Sequence, residues 1–155
     1  MLTDDMKDLV AGTMLCFAAT INEDGSPNLS PKSSLRVHDD THLLFANMAS
    51  PGTADNLRRD PRIELNCVDI FSRRGYRFSG RAQLFSDGDP LYGVLRRDVA
   101  AEHGDSLPVY DAVLIEVLHA SPVISPAYTF VEGVTEELLR NAYHGKYGVQ
   151  PLTAS

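Results

Sequence analysis

Short turn signals separate the strand-forming stretches in the first third of this 155-residue chain, and that spacing limits the folds open to it. Residues 13–21 are apolar and rich in strand formers, and Glu23-Asp24-Gly25-Ser26 then carries a hairpin signal. A second strand is predicted over 27–37. His38-Asp39-Asp40 makes the next turn, and Leu43 to Ala46 form a third strand. Strands joined so tightly pair antiparallel, because a parallel neighbour needs a crossover of about a dozen residues or more.

The rest of the chain adds helices without restoring a regular strand-helix alternation. Met6, Leu9 and Val10 recur at helical spacing after Thr3, with acids in the first turn and Gly12 just past the end. Ser50 is placed as an N-cap, Pro51 takes the first helical position and Pro61 lies beyond the end, so a two-turn helix is predicted there. Strands follow over 62–69 and 74–86, and in the second of these Tyr76, Phe78, Ala82 and Leu84 share a face. Asp89-Pro90 opens a helix ending near Gly104. Residues 109–120 form the last long strand, and Thr135 to Tyr143 a terminal helix capped by Gly145. An antiparallel barrel with helices at its openings answers this order, since closing the sheet removes its exposed edges.

Size and charge narrow the function. A chain of this length with 43% hydrophobic residues suits one domain over 1–155. Its formal charge of -7 repels a phosphodiester backbone over most of the surface, which argues against nucleic-acid binding. Met1 to Val10 mixes charges among apolar residues and has no secretory character, and no run reaches membrane-spanning length, so a soluble cytoplasmic protein is expected. Cys16 and Cys67 each sit in an apolar stretch, where a small buried thiol is the usual outcome. The five histidines show neither metal-ligand spacing nor a nucleophile partner, and no Gly-rich dinucleotide fingerprint occurs.

Three features carry possible chemistry. In the second strand Ser30, Lys32, Ser34 and Arg36 alternate onto one face, with Leu29, Pro31, Ser33, Leu35 and Val37 on the other. That polar row either holds a polar ligand or is the wet side of an antiparallel sheet. The Ser50-Pro51-Gly52-Thr53 helix start either binds a phosphate through its free amides or is a plain capping turn, and Asn56 lies one turn further on. Arg73, Arg74 and Arg77 enter a strand, as bidentate phosphate partners or as solvated side chains.

Taken in order, Asn22 to Val37, Leu44-Phe45-Ala46-Asn47, Ser50 to Arg62 and Arg74 to Ala82 closely resemble the pyridoxamine 5'-phosphate oxidase-like FMN-binding split barrels. The resemblance spans residues 13 to about 120, and the Asp-Gly-x-Pro turn and Asn56-Leu-Arg-Arg-Asp-Pro-Arg62 are its most specific parts. It implies a mainly β fold, a six-stranded antiparallel split β-barrel that forms a homodimer with FMN in clefts between the subunits. It also implies Pro31, Lys32, Ser33 and Ser34 at the flavin edge, and Asn47, Ser50, Pro51, Gly52, Thr53 and Asn56 at the ribityl phosphate. Lys32 or Arg36, and Arg74, are the implied cationic partners of the phosphate or the ring.

The resemblance carries departures too. The true oxidases grip the vitamin phosphate with a C-terminal segment bearing a tryptophan and basic residues, whereas this chain has no Trp and ends in Gly-Val-Gln-Pro-Leu-Thr-Ala-Ser. Their phosphate-binding helix start also carries basic residues where this chain has Pro51-Gly52-Thr53. The resemblance implies an FMN-dependent oxidoreductase acting on an unidentified small molecule, with no acid or base assigned. The alternatives are a non-catalytic flavin carrier and a relative that holds deazaflavin or haem, the last with His42, His119 or His144 as axial ligand.

Overall fold

A computed structural model describes residues 1–150; the final residues of the C-terminal tail, 151–155, lie outside the described residues. The chain runs α1 (Asp4–Gly12), β1 (Cys16–Ile21), β2 (Pro27–Lys32), β3 (Arg36–Val37), β4 (His42–Asn47), α2 (Pro51–Arg59), β5 (Arg62–Asp69), β6 (Arg74–Phe85), α3 (Pro90–His103), β7 (Asp111–Ile124), α4 (Ala127–Phe130) and α5 (Glu136–Tyr147). The seven strands of the described residues form one antiparallel sheet of order β2-β1-β5-β6-β7-β4-β3.

That order forces the sheet to curl. Its two edge strands, β2 and β3, are neighbours in sequence, linked only by residues 33–35. Four residue steps reach about 14 Å at full extension. In a flat seven-stranded sheet the edges would stand about 29 Å apart, six spacings of about 4.8 Å. The segment 27–37, predicted as one strand, is therefore broken: β2 and β3 hold opposite edges, and Ser33-Ser34-Leu35 crosses between them. The sheet accordingly has seven strands rather than six. Ser34 stitches the crossing to β4, since its hydroxyl accepts from the Ala46 N–H at 3.0 Å and donates to the Ala46 carbonyl at 3.5 Å.

Two hydrophobic clusters follow from the curl. Inside it, Ala18, Leu43, Phe45, Ile63, Leu65, Phe78, Val113 and Ile115 meet Leu9 and Val10 of α1 and Leu57 of α2. Outside it, Leu44, Ala46 and Ala112 are covered by Tyr92, Leu95 and Val99 of α3. β4 and β7 are thus buried on both faces where they pair, which explains the unbroken apolar runs Leu43 to Ala46 and Ala112 to Ile115.

Local signals hold at most ends. Thr3 caps α1 by accepting from the Met6 N–H at 3.3 Å. The hairpin turn keeps Gly25 at φ +83° and Asp24 accepting from Ser26. Gly75 in β6 has a different reason to be glycine, because a Cβ there would stand 1.9 Å from the Cys67 carbonyl oxygen. The terminal helix passes through Gly145, its predicted cap, and ends instead at Gly148 with φ +66°. α4 was not predicted. No helix among the described residues is long and apolar enough to cross a membrane.

Candidate functional site

The polar row of β2 faces inward. Asn28 and Ser30 are half-buried and Lys32 and Ser34 are 4% exposed, while Leu29 and Pro31 on the opposite face lie open to solvent. The row is therefore not the wet side of the sheet. Curling places it against the start of α2, which was only one of its possible neighbours in sequence. There Lys32 Nζ donates to Ser50 Oγ and, at 2.9 Å, to Ser30 Oγ, and Ser30 Oγ donates to Ser50 Oγ at 3.2 Å. The ammonium also stands 5.2 Å from the centre of the Phe45 ring.

No carboxylate pairs with Lys32 among the described residues. A buried cation without a counter-charge is costly, and burial accordingly pulls its pKa down, against a smaller upward pull from Cys16. Two of its three N–H bonds go to neutral hydroxyls.

The helix start beside it is left open. Ser50 occupies the N-cap position, but its side chain makes no capping bond, because Lys32 and Ser30 have drawn the hydroxyl away. The Gly52 and Thr53 amides find no acceptor among the described residues, and a Cβ on Gly52 would meet nothing within 4 Å. Pro51 is exposed at the first helical position. A cation, hydroxyls and free amides at a helix N-terminus form a donor set that suits a phosphate.

The other asparagine and threonine side chains predicted for the site brace it. Asn47 donates to Asp111 at 2.8 Å and accepts from the Ser50 N–H at 3.3 Å, which sets the entry to α2. Asn56 donates to Thr20 at 3.0 Å and to Asn22 at 2.9 Å and accepts from Arg59, tying α2 to the first hairpin. Thr53 accepts from Asn28 at 3.2 Å. Asn28, Thr20 and Phe45 were missed. Asn28 was legible as the next inward residue of the Ser30-Lys32 row, whereas Thr20 and Phe45 come from other strands and carry no sequence signal of their own.

The other predicted residues do not join the Lys32 donor group within this chain. Ser33 and Pro31 point outward, and Ser34 is occupied by Ala46. Arg36 turns to Asp98 and Glu102 of α3, both at 3.5 Å. Arg74 is not brought to the Lys32 group within this chain. It donates to Asp5 at 2.7 Å and to Glu136 at 2.7 Å, with Tyr76 also on Asp5 at 2.6 Å. These bonds, Arg74 foremost, lower the Asp5 pKa from 3.8 to about 2. Arg140 extends the network to Asp69 at 2.6 Å and Glu136 at 3.2 Å. The network rims a cavity of about 740 Å³ whose apolar wall includes Leu9, Leu15, Phe17, Ile70 and Phe71. Among the described residues no group of three or more His, Cys, Asp or Glu side chains could hold a metal ion.

Known proteins resemble this arrangement. The profile of the family described as pyridoxamine 5'-phosphate oxidase matches residues 2–139. No curated protein matches the chain. Among solved structures, HupZ of Group A Streptococcus is 28% identical, with a TM-score of 0.71, 81% of this chain covered and 96% of that one. An FMN-binding protein from Syntrophomonas wolfei subsp. wolfei is 13% identical at a TM-score of 0.69, covering 77% and 84%. HutZ, the heme storage protein from Vibrio cholerae, is 15% identical at 0.61, covering 79% and 94%. The last two likenesses speak for the fold alone.

Proposed function

Because this chain belongs to the pyridoxamine 5'-phosphate oxidase family, we propose that it is an FMN-binding flavoprotein, an oxidoreductase acting on a small molecule of unidentified structure. One observation carries this reading: Lys32 is buried with no carboxylate partner among the described residues, beside a helix start whose amides are free. That set fits the terminal phosphate of FMN, with Lys32 supplying charge, Ser30 and Ser50 hydroxyls, and Gly52 and Thr53 amide hydrogens. Asn47 and Asn56 orient these donors, and Phe45 shields the lysine from water. Bound FMN supplies the hydride or electron transfer. Pro31 to Ser34 flank its ring in this reading.

A homodimer belongs to the same proposal. Leu15, Phe17, Leu29 and Ile70 leave 49%, 42%, 66% and 47% of their surface exposed, an apolar group that a second copy would cover. The acidic net charge weighs against a nucleic-acid partner in the same reading.

The absorbance spectrum of the protein titrated with FMN tests the proposal. A shifted, structured flavin band with one FMN per chain supports it, and an unperturbed free-flavin spectrum overturns it. Steady-state reduction of an acceptor by a nicotinamide separates an oxidoreductase from a flavin carrier. A haem reading has its own support in the His144 Nδ1 atom, which is buried against Phe71 without a hydrogen-bond partner among the described residues. Haem and deazaflavin titrations run in parallel decide among the cofactors.

A further inference from the structure

The two cysteines face each other inside the sheet. β1 and β5 pair antiparallel with Phe17 opposite Asn66 and Ala18 opposite Leu65, so the next step sets Cys16 opposite Cys67. Both side chains point into the core, at 1% and 0% exposure, and both are free thiols. Opposed antiparallel residues hold their Cα atoms roughly 4.5–5.5 Å apart. That separation lies within the roughly 4.4–6.8 Å that a disulfide spans. On the other side of Cys16 its partner in β2 is Lys32. Lysine, thiol and thiol thus form one row across three strands. The lysine end of the row leads to half-buried Ser30 and Ser50, and so towards solvent.

We propose that Cys16 and Cys67 are a redox-active pair that closes to a cross-strand disulfide on exposure to hydrogen peroxide and reopens on reduction. Peroxide is close to water in size and enters by the Lys32 end. The Cys16 thiolate attacks one peroxide oxygen, the O–O bond breaks, and the departing hydroxide takes up a proton as water, leaving Cys16 as a sulfenic acid. The Cys67 sulfur then attacks the Cys16 sulfur, the S–O bond breaks, and the hydroxyl leaves with the Cys67 proton as a second water. Two thiols lose two electrons and one peroxide becomes two waters. The roles follow from the surroundings: the neighbouring Cys67 thiol, able to donate, and the charge of Lys32 favour the Cys16 thiolate against its burial, while the facing Cys16 sulfur, burial and the Cys16 charge keep Cys67 protonated.

The test needs no flavin, so it fails or succeeds apart from the function proposed above. The full chain is treated with hydrogen peroxide, denatured in alkylating reagent and analysed by mass spectrometry. The expected result is loss of both alkylatable thiols, a mass lower by two hydrogen atoms, one peptide linking Cys16 to Cys67, and reversal by dithiothreitol. In Cys67→Ser the sulfenic acid is expected to persist and to be trapped by dimedone on Cys16. Two thiols still alkylatable after treatment, a disulfide joining two chains, or no dimedone adduct in the variant would overturn the proposal.

Discussion

Lys32 and Arg74 are both cations set on strands of one sheet, and their surroundings are opposite. Arg74 is bracketed by Asp5 and Glu136, with Tyr76 completing the group, so its charge is spent inside the chain. Lys32 is more deeply buried, with hydroxyls, a ring and the Cys16 thiol around it and no carboxylate partner among the described residues. A neutralised cation organises structure, whereas a buried cation lacking its anion is stable only at a cost that an anionic ligand would relieve. The charge that is missing from the Lys32 group therefore says more about ligand than the many contacts around Arg74. Part of the Arg74 role is to join three segments distant in sequence: α1 through Asp5, β6 through itself and α5 through Glu136.

Replacing each cation by methionine breaks the comparison most directly. Lys32→Met is expected to lower FMN affinity by about ten- to a hundredfold, the worth of one hydrogen bond from a charged donor. The same variant leaves thermal stability unchanged or raised, because the unpaired buried charge is gone. Isothermal titration and a melting curve on one preparation check both halves. A fall in affinity with a matching fall in stability would mean that Lys32 is structural. Arg74→Met is expected to do the reverse, costing about 1 kcal/mol of stability, since its partners are partly exposed, with FMN affinity held within about twofold.

Acid sharpens the contrast. Asp5 has a folded pKa of about 2 against 3.8 ordinarily. Its folded carboxylate binds a proton less readily than the unfolded one, so its stabilisation is present above about pH 4 and lost as pH falls towards 2. Hydrogen exchange is expected to show α1 and α5 loosening over that window, and the loss should be absent in Arg74→Met. The smallest effect belongs to Ser50→Ala. Since the hydroxyl makes no capping bond, stability should fall by less than the ~1 kcal/mol of an ordinary capping serine. FMN affinity should still drop a fewfold by titration, the worth of one neutral hydrogen bond.

Much of the fold was legible because it rests on neighbours in sequence. The Gly25 turn, the Thr3 cap, the Pro51 helix start and the shared face of Phe78 and Ala82 each depend on a few adjacent residues. The break at Ser33 to Leu35 was not legible, since nothing in that segment disfavours an unbroken strand; only the distance between the sheet edges excludes it. For the same reason Gly145 was read as a cap. It is locally suited to that role, yet the helix continues past it to Gly148, while Glu136 and Arg140 near its other end are engaged by Arg74 and Asp69. At the site, the sequence marked Lys32 and Ser50 separately, and could not say that they touch.

By itself the sequence determined the alternation that makes Ser30 and Lys32 share a face, the apolar runs of β4 and β7, and the family to which the chain belongs, because periodicity and motif are properties of order along the chain. The tertiary structure alone decided that the polar face turns inward, that Lys32 meets a helix start and not a carboxylate, and that Cys16 stands opposite Cys67. Those outcomes depend on strand register and on the curl that brings β2 and β3 to facing edges. Register between strands some fifty residues apart is set by packing of the whole core, which no local pattern encodes.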